Sequence, residues 1–448
     1  MPSFRSIESR RRLLRAGALA AAVTALPAGF RRGRAAANDR LRLAGIGVGG
    51  MGAADLASLA SHPGVEVVAL CDVDAGTLAA AGEKHPGAKR FADFRVMFDE
   101  FADGIDAVHV STPDHTHAAA TMTALNHGKH AYCQKPLTHD VHESRQLRLV
   151  AERLGLVTQM GTQIHSTTPY RTAVRLVQEG VIGRVKEVHS WSGKTWGYDG
   201  PDPQPGTPPA TLDWNLWLGT AAERPYAEGH YHPGNWRRWY DFGGGTMGDM
   251  AIHILDPVFT ALALGPPRSL VSRSSAAPAR SFGMQNETIF RFPAGQYTTD
   301  PFTLTWYDGG KMPDTAAWPL DLPDGTRMGL PDQGSMFLGE KGAVLLPHVA
   351  MPMLLPVGDF AGHPIEAAAN GDHYHLFVDA CLGGAPTTCG FSYAGPLTEA
   401  VLLGTLANRF PGDELLWRPA ALAIPNHDRA DALLRRTYRK GFEVENLS

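Results

Sequence analysis

Five nearly continuous apolar runs, "LRLAGIGV", "VEVVALCDVD", "IDAVHVSTP", "HAYCQKP" and "LGLVTQMG", recur between residues 41 and 161. Runs of this length without polar alternation predict strands buried on both faces, and the segments between them have helical length and period. Together they predict a doubly wound parallel sheet with helices on both sides. After about residue 163 the pattern changes. A helix over Tyr170 to Gln178 leads into "VKEVHSWSG", the Pro- and Gly-rich loop "YDGPDPQPGTPP", a Trp-rich stretch, and alternating segments such as "ETIFRF" and "YTTDPFTLTWYD". These predict a second α/β domain with a large, mostly antiparallel sheet. The expected division is residues 38–162 for the first domain and 163–448 for the second.

The first 37 residues stand apart. Ser9-Arg10-Arg11-Arg12-Leu13-Leu14-Arg15 is a basic region with paired arginines, Ala16 to Phe30 is apolar but too short to span a bilayer, and Ala35-Ala36-Ala37 offers a cleavage site. The expectation is a cleaved twin-arginine signal, hence a periplasmic or otherwise exported protein handled by that export machinery. Removing its eight arginines and one glutamate from 41 basic and 45 acidic residues leaves a net charge of −11. That charge argues against nucleic acid or an anionic membrane surface as a partner. The 411 remaining residues exceed one ordinary core. Of the four cysteines, Cys71 and Cys133 end apolar strands and read as small buried hydrophobes.

Gly47-x-Gly49-x-x-Gly52 follows the first strand and opens a helix. In that context the first glycine makes a tight turn, the second admits a pyrophosphate close to the backbone, and the third permits helix packing. Asp72, twenty residues after Gly52 at the end of the second strand, can accept ribose hydroxyls and disfavours a 2′-phosphate, so NAD is expected ahead of NADP.

The stretch "STPDHTHAAATMTALNHGKHAYCQKPL", with the glycine fingerprint, resembles the Gfo/Idh/MocA oxidoreductases. The likeness continues through "MGTQ", "EGVIGRV", "WNLWLG" and "GGGTMGDMAIHILD". It implies that Gly47, Gly49, Gly50, Met51, Gly52 and Asp72, with Thr112, Pro113, His117, Gln134 and Lys135, bind the cofactor. It further implies catalytic roles for Lys135, Asp249 and His253, and a homo-oligomer built on the second sheet. Lys135, at the end of a parallel strand, can donate to a substrate hydroxyl as charge develops there. The sequence departs from the family pattern at Gln134, where Glu is usual; a neutral amide cannot stabilise the lysine ammonium. Asp249 and His253 are spaced i, i+4 on one helix face, and an imidazole suits a general base.

Six of nine tryptophans fall between residues 191 and 239. Of these, Trp191, Trp196 and Trp236, with Arg237 and Arg238, are candidates for a sugar platform, whereas Trp214 and Trp217 read as packing. His230-x-His232 and His373-x-His375, read as strand pairs, lack a further ligand of diagnostic spacing, so no metal is expected. Asp140 and Glu143 read as a helix capping box.

An exported NAD enzyme must keep its cofactor and regenerate it in place. Among relatives of the resembled family, this points to glycoside hydrolase family 109-like enzymes: transient C3 oxidation of a glycoside, elimination, water addition, and net redox-neutral cleavage with tightly bound NAD. The segment before Asp249, "WRRWYDFGGGTMG", departs from the Tyr-Pro-Thr-His-Gly type of that group. The alternatives are a sugar 3-dehydrogenase, a sugar-sugar oxidoreductase of the glucose-fructose type, or a sugar-binding relic.

Overall fold

The computed structural model describes residues 40–448; the expected export signal lies outside the described residues. Strands β1 (Leu41–Ile46), β2 (Val65–Cys71), β3 (Lys89–Phe91), β4 (Ala107–Val110), β5 (His130–Cys133) and β6 (Thr158–Met160) form one sheet in the order β3-β2-β1-β4-β5-β6. Every pair in it is parallel. The apolar runs are buried because helices cover both faces, including α1 (Met51–Ala60), α2 (Ala75–Lys84), α3 (Phe94–Phe101), α4 (Asp114–Asn126) and α5 (Val141–Leu154). The edge strand β3, reading Lys-Arg-Phe, escapes the hydrophobic pattern because it is short and half in solvent.

The second sheet has eight strands in the order β13-β12-β11-β7-β10-β9-β8-β14, of which β8 (Ser269–Ser272), β12 (Ala343–Pro347), β13 (Met353–Leu355) and β14 (Glu414–Leu416) are the outer ones. Its centre is β7 (Val185–Ser192), parallel to β10 (Thr298–Asp308) and antiparallel to β11 (Gln333–Gly339); β10 pairs antiparallel with β9 (Asn286–Phe292). It is therefore mostly antiparallel.

Later segments return to the first sheet. Helix α6 (His373–Cys381) packs on α1, and α7 (Phe391–Ala407) packs on α5, where Arg145 grips Glu399 through two bonds of 2.6 and 2.7 Å. His373 and His375 thus lie on a helix, not a strand, and His373 is consumed by Ser166 and the Met160 carbonyl. The capping box is present: Asp140 accepts from the Glu143 amide, and Glu143 accepts from the Asp140 amide. The four cysteines are buried free thiols. Among the described residues no helix is long and apolar enough to cross a membrane.

Candidate active site

A cavity of about 620 Å³ runs along the C-terminal edge of the first sheet, a size in the range of small-molecule and cofactor sites. Its floor is the glycine turn. Gly47 has φ 76°, and a side chain there would lie 2.7 Å from the Ser111 carbonyl oxygen; one on Gly52 would lie 2.0 Å from the Gly47 oxygen. The turn and the helix start touch, which only glycine at both positions allows. Gly49, Gly50 and Met51 line the cavity, and α1 begins there with no side-chain cap and no acidic residue in its first turn. That geometry suits an anion at the helix start.

Farther along, Asp72 Oδ2 accepts the Val48 N–H and Oδ1 the Asp74 N–H, both at 2.9 Å. Burial raises its carboxyl above the ordinary value, with the two amides opposing. Asp72 therefore braces the glycine turn while lining the cavity, where its remaining lone pairs can accept ribose hydroxyls. The cradle, the uncapped helix and Asp72 together fit a dinucleotide.

At the other end stand Thr112, Pro113, His117, Gln134 and Lys135. His117 faces the Thr112 carbonyl (2.7 Å) and the Pro136 carbonyl (2.8 Å) with its two ring nitrogens, tying the two turns together. Burial pushes it down to about 4, so a neutral ring donates to one of the two. Gln134 donates from Nε2 to Asp55 Oδ2 at 2.9 Å, while its Oε1 accepts the Lys135 N–H at 3.0 Å. Asp55 also accepts from Ser111 (2.8 Å) and from the Tyr374 hydroxyl (2.7 Å). Burial works against its charge, but bonds from His109, Tyr374 and Ser111 outweigh that and hold its carboxyl below the ordinary value.

Lys135 Nζ donates to Asp249 Oδ1 at 2.8 Å and to the Asp249 carbonyl at 3.2 Å. Arg237 Nε reaches the same Oδ1 at 3.1 Å, and Trp196 Nε1 donates to Oδ2 at 2.6 Å. Burial opposes the Asp249 charge, but Lys135 and Arg237 overcome it and hold the carboxyl far below the carboxylate range. Asp249 sits in a π-helical turn, Met247–Ala251, that runs into Ile252–Ile254 carrying His253, so the expected regular helix is locally widened. His253 lines the cavity, and its Nδ1 has no hydrogen-bond partner among the described residues. Burial, then Lys135 and His348, push its pKa well below the ordinary imidazole value. The ring is a neutral acceptor beside a cation, an arrangement able to take a hydroxyl proton.

The tryptophans divide. Trp236 lines the cavity with Arg237 stacked 4.2 Å over its ring, and Trp196 lies under Arg237 and Arg238 at 5.4 and 5.9 Å. Trp191 does not belong to the site. It is fully buried in the second sheet, donates to the Pro331 carbonyl, and packs on Trp318, because the inward face of β7 takes the position that was expected to meet a sugar. Trp214 and Trp217 stack at 4.7 Å inside an aromatic cluster with Tyr226, Tyr231 and Phe242. That cluster stiffens a segment that docks against the adenosine side of the cavity: the Ala75 N–H bonds the Thr211 carbonyl at 2.9 Å, and the Asp213 N–H bonds the Val73 carbonyl at 3.0 Å. His232, Pro233, Gly234 and Phe442 close the same wall.

Two family models match this chain: an oxidoreductase family, NAD-binding Rossmann fold, over residues 41–162, and its C-terminal alpha/beta domain over residues 167–267. The chain belongs to the Gfo/Idh/MocA oxidoreductase family. It is similar to levoglucosan dehydrogenase of Pseudarthrobacter phenanthrenivorans, 25% identical over 165 residues, covering 37% of this chain and 34% of that one. It is also similar to inositol 2-dehydrogenase of Rhodococcus jostii, 34% identical over 157 residues, 34% of this chain and 41% of the relative. The match thus spans less than half the length of these relatives. In fold it resembles the WlbA dehydrogenase of Bordetella pertussis in complex with NADH and UDP-GlcNAcA, with a TM-score of 0.60 at 16% identity, covering 85% and 99% of the two chains.

In this Gfo/Idh/MocA chain, several cavity or site residues carry no local sequence signal. Asp55, His348 and Phe442 reach the site from other elements, Asp55 through Gln134 and His348 through its contact with His253. Asp114 and Gln163 lie inside the segments "STPDH" and "MGTQ", and their positions directly after a strand are the signal that the sequence offers for them.

Proposed function

We propose that this family member is an exported NAD-dependent oxidoreductase of a sugar or glycoside. In this reading it holds NAD tightly, oxidises C3 transiently, and achieves net redox-neutral glycoside cleavage. The observation that carries the reading is the ion pair of Lys135 and Asp249 beside the neutral, unpaired His253 at one end of a cavity whose other end fits a dinucleotide. Bound NAD would supply a two-electron acceptor. Asp249 aims Lys135, so that its ammonium can donate to a hydroxyl oxygen. His253 accepts the hydroxyl proton. Arg237, stacked on Trp196 and Trp236, lines the cavity with a guanidinium that can donate to sugar hydroxyls. Oxidation at C3 acidifies the C2 proton, so the anomeric group can leave by elimination without the paired carboxylates of ordinary glycosidases. Retention of NAD is supported by the docked segment around Thr211 to Gly234 and by Phe442, which wall the adenosine side.

The test is incubation of the purified chain with aryl glycosides in D2O without added cofactor. Release of free sugar with deuterium at C2 and the original hydrogen at C3 is the expected result. A stoichiometric keto-sugar with accumulated NADH instead supports a plain sugar dehydrogenase, the reading favoured by the names of the curated relatives.

A further inference from the structure

Asp114 opens α4 directly after the Thr112–Pro113 turn and lines the cavity while only 3% exposed. Its Oδ2 accepts the Gly244 N–H at 3.2 Å. The cations beside it, Lys135 and Arg237, make their ion pairs with Asp249 instead, and among the described residues Asp114 is in no ion pair. The groups facing it are Lys135 and the Cys133 thiol from the end of β5, Arg237 from the turn Asn235–Arg238, and Asp249 from the π-helical turn. On its own helix, His115 and His117 are buried and neutral near pH 7. Burial pushes the Asp114 carboxyl up to about 7, with Arg237 and Lys135 pulling it down and Asp249 adding to the rise. Asp114 is thus a carboxyl at the catalytic end of the cavity, without a partner cation of its own.

We propose that Asp114 holds a proton that leaves when oxidised nicotinamide occupies this end of the cavity and returns when the cofactor is reduced. The inference rests on reading the cavity as a nicotinamide site. The oxidised ring carries one positive charge and the reduced ring carries none, so the first favours ionised Asp114 and the second the neutral acid. For a secondary alcohol the balance closes: the carbon gives one hydrogen and two electrons to NAD⁺, His253 takes the hydroxyl proton and yields it to solvent, and the Asp114 carboxylate gains one proton from solvent. The products are a ketone, NADH and neutral Asp114, and reversal returns both hydrogens. A site that must give back the hydrogen it took keeps the matching proton beside it.

The experiment loads the full chain with NAD, equilibrates it with redox mediators between about pH 5.5 and 8, and reads reduced cofactor by absorbance beside free NAD. The bound couple should fall with rising pH by up to one extra tenfold factor per pH unit relative to the free couple, about 30 mV for two electrons. Asp114→Asn, which keeps an acceptor for Gly244, should run parallel to free NAD. A wild-type slope equal to that of free NAD, or an Asp114→Asn slope equal to wild type, overturns the proposal. Should the Asn variant not fold, Asp114→Ser carries the same expectation and the same overturning outcome. A chain that retains neither NAD nor NADH overturns the nicotinamide reading along with it, and gel filtration distinguishes that case.

Discussion

Gln134 donates its side-chain amide to the fully buried carboxylate of Asp55 at 2.9 Å. A second carboxylate in place of the Gln134 amide would face the Asp55 carboxylate directly, out of water. The amide also receives the Lys135 N–H, so the contact sets the start of the turn that presents the lysine.

Gln134→Glu is expected to destabilise the chain by about 2 kcal/mol or more, since it replaces a charge-assisted hydrogen bond with like charges out of water. Adding Asp55→Asn should recover most of that loss, because the donor and acceptor are then exchanged. Urea unfolding of both single variants and the double variant checks it; additive losses would refute the pairing.

Lys135→Ala and Asp249→Ala should each lower turnover by about 10² to 10⁴. The double variant should be little worse than either, since the two groups act as one unit joined at 2.8 Å. Steady-state kinetics on an aryl glycoside or sugar that is turned over would show it, and multiplied losses would separate their roles.

Stability should fall on acidification below pH 6.5. Burial first, then nearby cations or histidines, pushes His115 down to about 3 and His117 and His373 down to about 4. In the unfolded chain these rings take protons from about pH 6.5 downward, whereas the folded chain does not. Stability is thus intact above 6.5 and lost as pH falls toward 4 to 3. Each ring costs about 2 kcal/mol by pH 5. Thermal melts between pH 7.5 and 5 check this, and His115→Gln should flatten the slope.

Phe442→Ala should weaken NAD about tenfold while leaving turnover at saturating NAD near wild type. Phe442 lies between Arg95 and Arg439, at 4.1 and 4.3 Å, and forms part of the wall beside Phe94. An aromatic contact of this kind contributes about 0.5 to 1.5 kcal/mol. Calorimetric titration with NAD measures it; unchanged affinity would remove the C-terminal segment from the cofactor wall.

What could be read along the chain were features whose partners lie within one turn or one strand-to-helix junction. The glycine turn, the parallel strands, Asp72 at a strand end, the Asp140 cap and the spacing of Asp249 and His253 all follow from backbone periodicity and local sterics. Tertiary structure decided which chemistry-bearing residues meet. It buried Trp191 in the second sheet while bringing Trp236 to the cavity and Trp196 to Asp249, and it joined Asp55 to Gln134 and to Tyr374 and set Phe442 against the cleft, across tens to hundreds of residues. The physical reason is that a side chain's face on a sheet, and the charge environment that sets its protonation, depend on neighbours assembled by packing between distant elements, and no local period encodes those neighbours.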